Sequence, residues 1–257
     1  FLVGKGKGFR FLKEIDLTTV AIINEALSSI VREMRRAMVR SSYSSIIYEG
    51  YDFSCVLLNG EGQLVAESGE DHPFHILPIA TAIETAKKIH RSFDKDEMLL
   101  HNDPYTGGTH LNDVAVIYPV VINACKIFYI VIRSHWGDIG GMSPGSLNGN
   151  VTEITQEGLR LNFLKIPKSG NSEVMRLIFD NVRVTKEAVS DFFSVIGIIR
   201  VAEKRLKKLC QKYSLGVVRN SMHRILDMSE RRIRTSIKKL FRKMSHCLFV
   251  FCNYHKS

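Results

Sequence analysis

Residues 114–121 and 127–134 are two nearly unbroken runs of apolar, largely β-branched and aromatic side chains. Runs of this kind read as strands buried on both faces, so the fold must be built around a covered sheet. Residues 98–100 add a third buried strand. Pro119 lies inside the first of the long runs and has no N–H for a ladder, so an edge or a bulge is expected there. Residues 51–67 follow a different rhythm. Phe53, Cys55 and Leu57 alternate, Asn59-Gly60-Glu61-Gly62 supplies turn residues, and Leu64-Val65-Ala66 resumes, which is the pattern of a hairpin. Cys55 in this run reads as a small core residue.

Helices are expected on either side of the strands. In residues 16–40, Ile23, Leu27, Ile30, Met34 and Met38 recur at three- and four-residue steps, Asp16 is placed to cap the start, and Arg32, Arg35, Arg36 and Arg40 fall largely off the apolar stripe. Residues 76–93 form a second candidate, with Pro73 and Pro78 near its start. Residues 203–240 are mostly helical in pattern, with a break expected at Leu215-Gly216. Residues 142–170, rich in Gly, Ser, Asn and Pro, read as a long ordered loop region. The sum is an α+β fold of mixed, largely antiparallel sheets flanked by helices, with a C-terminal helical segment.

Charge divides the chain. Residues 200–243 hold 15 basic and three acidic residues, Glu203, Asp227 and Glu230, so this stretch carries +12 and the remainder of a chain of net charge +10 carries −2. That balance argues against a uniformly basic nucleic-acid binder and reads as a solvated helical face. No apolar run approaches the roughly 20 residues needed to span a bilayer, and no signal peptide is recognised, so neither nucleic acid nor membrane is expected as a partner. The five cysteines are scattered without a C-x-x-C pair, which argues against a disulfide framework and for a cytoplasmic location. The chain opens on Phe1 and is read as a processed or partial product.

Polar residues concentrate where these strands begin and end. His110-Leu111-Asn112-Asp113 leads into one buried strand, and Ser134-His135-Trp136-Gly137-Asp138 ends the next. In an antiparallel pair the start of one strand lies beside the end of the other, so His110 and Asp113 can face His135. Asp52 opens the alternating run of the hairpin. Two imidazoles with one or two carboxylates make a mixed N/O donor set suited to Mn²⁺, Fe²⁺, Zn²⁺ or Co²⁺. The spacing alone is a weak signal, since each His is equally at home as a hydrogen-bonded core or surface residue. Gly107-Gly108 and Gly140-Gly141 serve either as turns at positive φ or as backbone N–H groups open to an anion. Their spacing matches neither a P-loop nor a dinucleotide-binding fingerprint, and no Gly-x-Ser-x-Gly is present.

These stretches resemble the hydantoinase B/oxoprolinase family. The resemblance is carried by Asp52-Phe53-Ser54-Cys55, by His101-Asn102-Asp103-Pro104-Tyr105-Thr106-Gly107-Gly108-Thr109-His110-Leu111-Asn112-Asp113 and by Ser134-His135-Trp136-Gly137-Asp138-Ile139-Gly140-Gly141. Pro144-Gly145-Ser146, Gln156-Glu157-Gly158-Leu159-Arg160, Asn181-Val182-Arg183 and Ser229-Glu230-Arg231-Arg232 extend it, from about residue 16 to about residue 239. It implies ATP-dependent opening of a cyclic amide, such as 5-oxoproline or a hydantoin. An A-type half uses ATP to activate the amide, and the B-type half carries a divalent metal and supports hydrolysis. The ligand set it implies falls on Asp52, His110, Asp113 and His135. Asp103 or Asp138 would accept a proton or orient a His ligand, with loop capping as the alternative for each. Glu153 and Glu157 are read as structural hydrogen-bonding groups or substrate contacts. Ketone carboxylases use related halves and are the alternative; a non-catalytic remnant is a third.

Two departures stand out. Trp136 occupies a position where many members have a second His. After Lys239 the family pattern gives way to an apolar stretch with His246, Cys247, Cys252 and His255 at spacings that fit no zinc finger. The expected organisation is a metal-bearing region over residues 1–199, a basic helical segment of the same domain over 200–240, and an unstructured, aberrant tail over 241–257. The second half of the family pattern is expected to be absent.

Overall fold

The computed structural model describes residues 15–90 and 96–254, with side chains as far as residue 241. The two apolar runs pair as a hairpin at the centre of the sheet. β4 (Asp113–Ile122) and β5 (Cys125–His135) run antiparallel, paired from Asp113↔His135 to Ile122↔Cys125 with a one-residue shift between Val120 and Val121. Asn123 and Ala124 between them have φ of 51° and 59°. Two such residues give a turn whose twist matches that of the strands. β1 (Phe53–Asn59) lies beside β5 and carries β2 (Leu64–Ala66), while β3 (Glu97–His101) lies beside β4 and carries β6 (Leu164–Pro167). The six-stranded order is β2-β1-β5-β4-β3-β6, antiparallel throughout. Pro119 sits where expected: the β3 ladder on β4 ends at Ile117, and a bulge follows at Val120/Val121.

Alternation sends each strand's side chains to two cores. On one face Phe53, Cys55, Leu57, Val116, Tyr118, Ile130 and Ile132 pack under α1 (Leu17–Ser41) and α6 (Thr185–Tyr213). The expected α1 stripe of Ile23, Leu27, Ile30, Met34 and Met38 is buried there, and Asp16 caps the helix by accepting from the Thr19 N–H at 2.8 Å. Cys55 is a core residue, and burial pushes its thiol well up. On the other face Val56, Leu58, Leu99, Ala115, Ile117, Tyr129 and Val131 meet α4 (Ile79–Ile89) in a smaller core. A one-turn helix, α2 (Ser45–Tyr48), leads into β1, and another, α3 (Pro73–Ile76), leads into α4.

The differences from expectation have local causes. The helix expected over 76–93 is divided at Pro78, which caps α4, and residues 91–93 lie outside the described residues. The loop over 142–170 contains β6, made by pairing with β3. α5 (Glu173–Asp180) and the first half of α6 were not anticipated, and α6 passes residue 200 without a break. The helix break falls on Ser214, at φ 67°, one residue before α7 (Leu215–Tyr254); Gly216 lies within α7. The α7 backbone is helical through Tyr254, where an unstructured tail was expected, and the side chains of residues 242–257 lie outside the described residues. Among the described residues no helix is long and apolar enough to cross a membrane. Arg35 is not a surface charge. It is buried against the Phe53 ring and pairs with Glu70 at 3.0 Å and Asp71 at 3.2 Å, tying the turn before α3 to α1.

Candidate metal centre

Three separate chain segments meet at one end of the sheet, on the face of the smaller core. Asp113 begins β4 directly opposite His135, which ends β5. β1 flanks β5 with Phe53 opposite Ser134, and the His135 N–H donates to the Asp52 carbonyl at 3.0 Å, so Asp52 lies beside His135. With the two-residue period of strands, Asp52, Ser54, Asp113, Arg133 and His135 all project to the same side. His110 is brought back to Asp113 by a turn closed by the Asp113 N–H on the His110 carbonyl at 3.1 Å. The loop that leads into that turn needs its glycines. A Cβ on Gly107, at φ 106°, would lie 2.5 Å from the Ala82 nitrogen, and one on Gly108 would lie 2.5 Å from the Asn102 carbonyl oxygen. Gly107-Gly108 thus fits the turn reading: it lets the loop pack against α4.

The four expected residues come together. His110 Nδ1 is 3.1 Å from Asp113 Oδ2, His135 Nδ1 is 3.3 Å from Asp113 Oδ1 and 3.5 Å from Asp52 Oδ2, and His110 Nε2 is 3.2 Å from His135 Nδ1. Asp113 is fully buried, whereas the side chains of Asp52 and His110 are 33% and 37% exposed, so the cluster opens to solvent on their side.

Two residues that the sequence did not reveal complete it. His75, on α3 and fully buried, places Nε2 3.1 Å from Asp113 Oδ2 and 3.5 Å from Asp52 Oδ1. The Thr109 hydroxyl donates to Asp113 Oδ2. Arg133, also fully buried, supports them from below: Nη1 donates to the His75 carbonyl and Nη2 to the Gly107 carbonyl, each at 2.8 Å.

Asp103 and Asp138 do not join the cluster. Asp103 Oδ1 accepts the Tyr105 N–H at 3.0 Å, and Oδ2 lies 3.7 Å from Arg160. Asp138 accepts from the N–H groups of Gly140, Gly145 and Arg183 and from the Arg183 guanidinium at 2.8 Å. Burial raises the Asp138 carboxyl, but these bonds outweigh it and hold the pKa below the usual value. Both side chains cap loops, the alternative reading of each. Glu153 caps a single 3₁₀ turn. Trp136 turns into the larger core, where it stacks on Phe179.

Electrostatics keep Asp113 ionised. Burial alone would raise its carboxyl, but hydrogen bonds from His110, His75 and Thr109, with the His135 ring beside it, outweigh that and hold the pKa far below the carboxylate range. The same hydrogen bond raises His110, against its burial, and the charges of Asp113, Asp52 and Glu157 add to that rise.

The residues fit a divalent cation. Asp52 Oδ1 and Asp113 Oδ1 are buried oxygens that accept no hydrogen bond, and buried carboxylate oxygens are seldom left so. Two overlapping groups, His110/Asp113/His135 and Asp52/His75/Asp113, each bring their donor atoms within 4.8 Å of one another. Neutral imidazole and carboxylate are the donors of Mn²⁺, Fe²⁺, Zn²⁺ and Co²⁺.

Comparison with known proteins identifies relatives of this chain. A putative D-/L-hydantoinase component of the B type from Pseudomonas sp. (strain NS671) is 33% identical over 89% of this chain and 40% of its own length. The crystal structure of the ATP-dependent caprolactamase from Pseudomonas jessenii superposes with a TM-score of 0.81 at 27% identity, covering 87% of this chain and 39% of that one. The nucleotide-free structure of an acetone carboxylase shares the fold, at a TM-score of 0.72 and 16% identity, over 80% of this chain and 28% of that one. The chain therefore spans about two fifths of the hydantoinase and caprolactamase chains. Residues 16–250 match the hydantoinase B/oxoprolinase family, and the chain belongs to that family.

Proposed function

We propose that this chain is part of the B-type component of an ATP-dependent cyclic-amide hydrolase, with a single divalent metal held by Asp52, His110, Asp113 and His135. The observation that carries this is the convergence of those four side chains, from three chain segments, around two orphaned carboxylate oxygens. The hydantoinase relative and the caprolactamase structure support a cyclic amide, such as a hydantoin, 5-oxoproline or a lactam, as the substrate class. A ketone carboxylase reading rests on likeness of fold alone.

An amide is a poor electrophile; a bound divalent metal would polarise its carbonyl or bring a coordinated water toward ionisation near neutral pH. Asp113 stays anionic and His110 and His135 converge on it from two sides. Asp52 and His110 line the open side, where substrate enters. Asp103 and Asp138 act by fixing the 102–108 and 137–145 loops through backbone N–H groups. The phosphate chemistry belongs to a hydantoinase A-like, ATP-binding partner, since this chain has no phosphate-cradling motif of its own.

The test is a ring-opening assay with 5-oxoproline, hydantoin and caprolactam, with ATP and Mn²⁺ or Zn²⁺, with and without a co-expressed A-type partner. Turnover is expected only with partner and ATP together. ATP-independent, metal-dependent turnover by the isolated chain would refute the division of labour.

A further inference from the structure

We infer that His75 is a positioning residue for the Asp113 carboxylate, and not a further metal ligand. The inference rests on the metal centre proposed above and deepens it. The tautomer follows from counting donors. Ser54 Oγ accepts the His72 backbone N–H at 3.3 Å and lies 3.1 Å from His75 Nδ1. Nε2 faces Asp113 Oδ2 at 3.1 Å, and an ionised carboxylate only accepts, so the ring proton sits on Nε2. Nδ1 is then left as the acceptor for the Ser54 hydroxyl proton. With that proton in place Nε2 offers no lone pair to a cation and donates to the carboxylate instead.

The consequence is a division between the two oxygens of Asp113. Oδ2 receives the His75 ring and the Thr109 hydroxyl and lies 3.1 Å from His110 Nδ1. Oδ1 is buried, accepts no hydrogen bond and faces His135. His75 thereby fixes the rotation of the carboxylate and leaves one defined oxygen free. The residue is itself anchored at both ends. Its ring is fully buried with Phe74 packed edge-on at 4.4 Å between centroids, and its carbonyl is held by Arg133. Outer groups of this kind orient metal ligands and set their affinity.

The experiment measures Zn²⁺ and Co²⁺ binding to the full 257-residue chain by chelator competition, with circular dichroism as a check on folding. The wild type is expected to bind one equivalent. His75→Leu is expected to keep that stoichiometry and bind about 10- to 100-fold more weakly. His75→Gln, whose amide N–H can reach the carboxylate, is expected to restore most of the affinity and to give the wild-type visible spectrum with Co²⁺. Should His75→Leu not fold, Ser54→Ala provides the second measurement: it frees the tautomer and is expected to weaken binding while leaving the Co²⁺ spectrum in place. Equal affinity in the wild type and His75→Leu would overturn the inference. So would two equivalents in the wild type with one lost in His75→Leu, or an altered Co²⁺ spectrum in His75→Gln, since either makes His75 a ligand. A wild type that takes up no metal overturns the metal centre itself; a wild type that binds metal indifferently to His75 overturns this inference alone.

Discussion

Replacing Arg133 by Met and by Lys separates two effects of one buried cation. Its guanidinium joins two elements through the carbonyls of His75 and Gly107, each at 2.8 Å. Burial brings its pKa down from 12.5 to about 10, with the Asp113 charge opposing. At about 1.4 kcal/mol per pKa unit, keeping the charge there costs about 3 kcal/mol. Against this, leaving a buried carbonyl without a donor costs about 1–3 kcal/mol, and there are two of them. Arg133→Met removes the charge and orphans both carbonyls, so the effects nearly offset, and a net loss of about 1–2 kcal/mol is expected. Arg133→Lys keeps the charge but replaces a planar fork with a point donor, which cannot span both carbonyls. The cost of burying a charge is common to wild type and variant, but the bare carbonyl costs about 1–3 kcal/mol and the more strongly hydrated ammonium adds to it, so about 3 kcal/mol is expected to be lost. Urea unfolding at pH 7 should rank the proteins wild type, then Met, then Lys. A Lys variant as stable as the wild type would refute the reasoning, because it would show that charge and not the two-carbonyl fork holds α3 and the Gly107 turn to the sheet.

His110→Ala and His135→Ala are each expected to lose bound metal while keeping the wild-type circular dichroism, because neither side chain belongs to a hydrophobic core; equal metal content by elemental analysis in all three proteins would count against the centre. Glu203, buried on α6, accepts from Tyr118 of β4 at 2.9 Å, from Lys207 at 2.7 Å and from Lys168. Burial raises its carboxyl, but the bonds from Lys168, Lys207 and Tyr118 prevail and lower the pKa. Such a group stabilises the fold above its unfolded pKa of about 4.3, and that contribution is lost as pH falls through the lower folded value. Glu203→Gln is therefore expected to cost about 1–2 kcal/mol at pH 7. The gap to wild type should narrow as pH drops below about 4; urea titrations at pH 7 and pH 3 that show a constant gap would refute the assignment.

What the sequence disclosed and what it withheld divide along physical lines. The central hairpin was legible because residues 114–121 and 127–134 have no other way to bury their side chains, and its register is set by a two-residue turn together with the bulge at Val120/Val121. The bulge shifts the pairing by one residue, and with that shift Asp113 faces His135. The antiparallel neighbour then adds Asp52, which the family resemblance had named. β6 was hidden because its four residues become a strand only by pairing with β3. The first half of α6 was hidden because Val195, Ile196, Ile198 and Ile199 are all buried, so no single stripe marks the helix.

His75 is the instructive omission. Its neighbours His72-Pro73-Phe74 read as a turn, and no spacing rule connects residue 75 to residue 113. The connection is made by two buried arginines. Arg35 on α1 holds Asp71, whose carboxylate also accepts the Cys55 and Ser68 N–H groups, and so fixes the turn that starts α3. Arg133 on β5 holds the far end of the same short helix by the His75 carbonyl. In the sequence each arginine looks like a surface charge, one on the polar side of a helix and one spoiling an apolar strand. Each has a reason to be buried only after the sheet and helix have met and placed a partner within reach. A residue whose position depends on such contacts cannot be found from periodicity, because Arg35 lies 36 residues from Asp71 and Arg133 lies 58 residues from His75 along the chain.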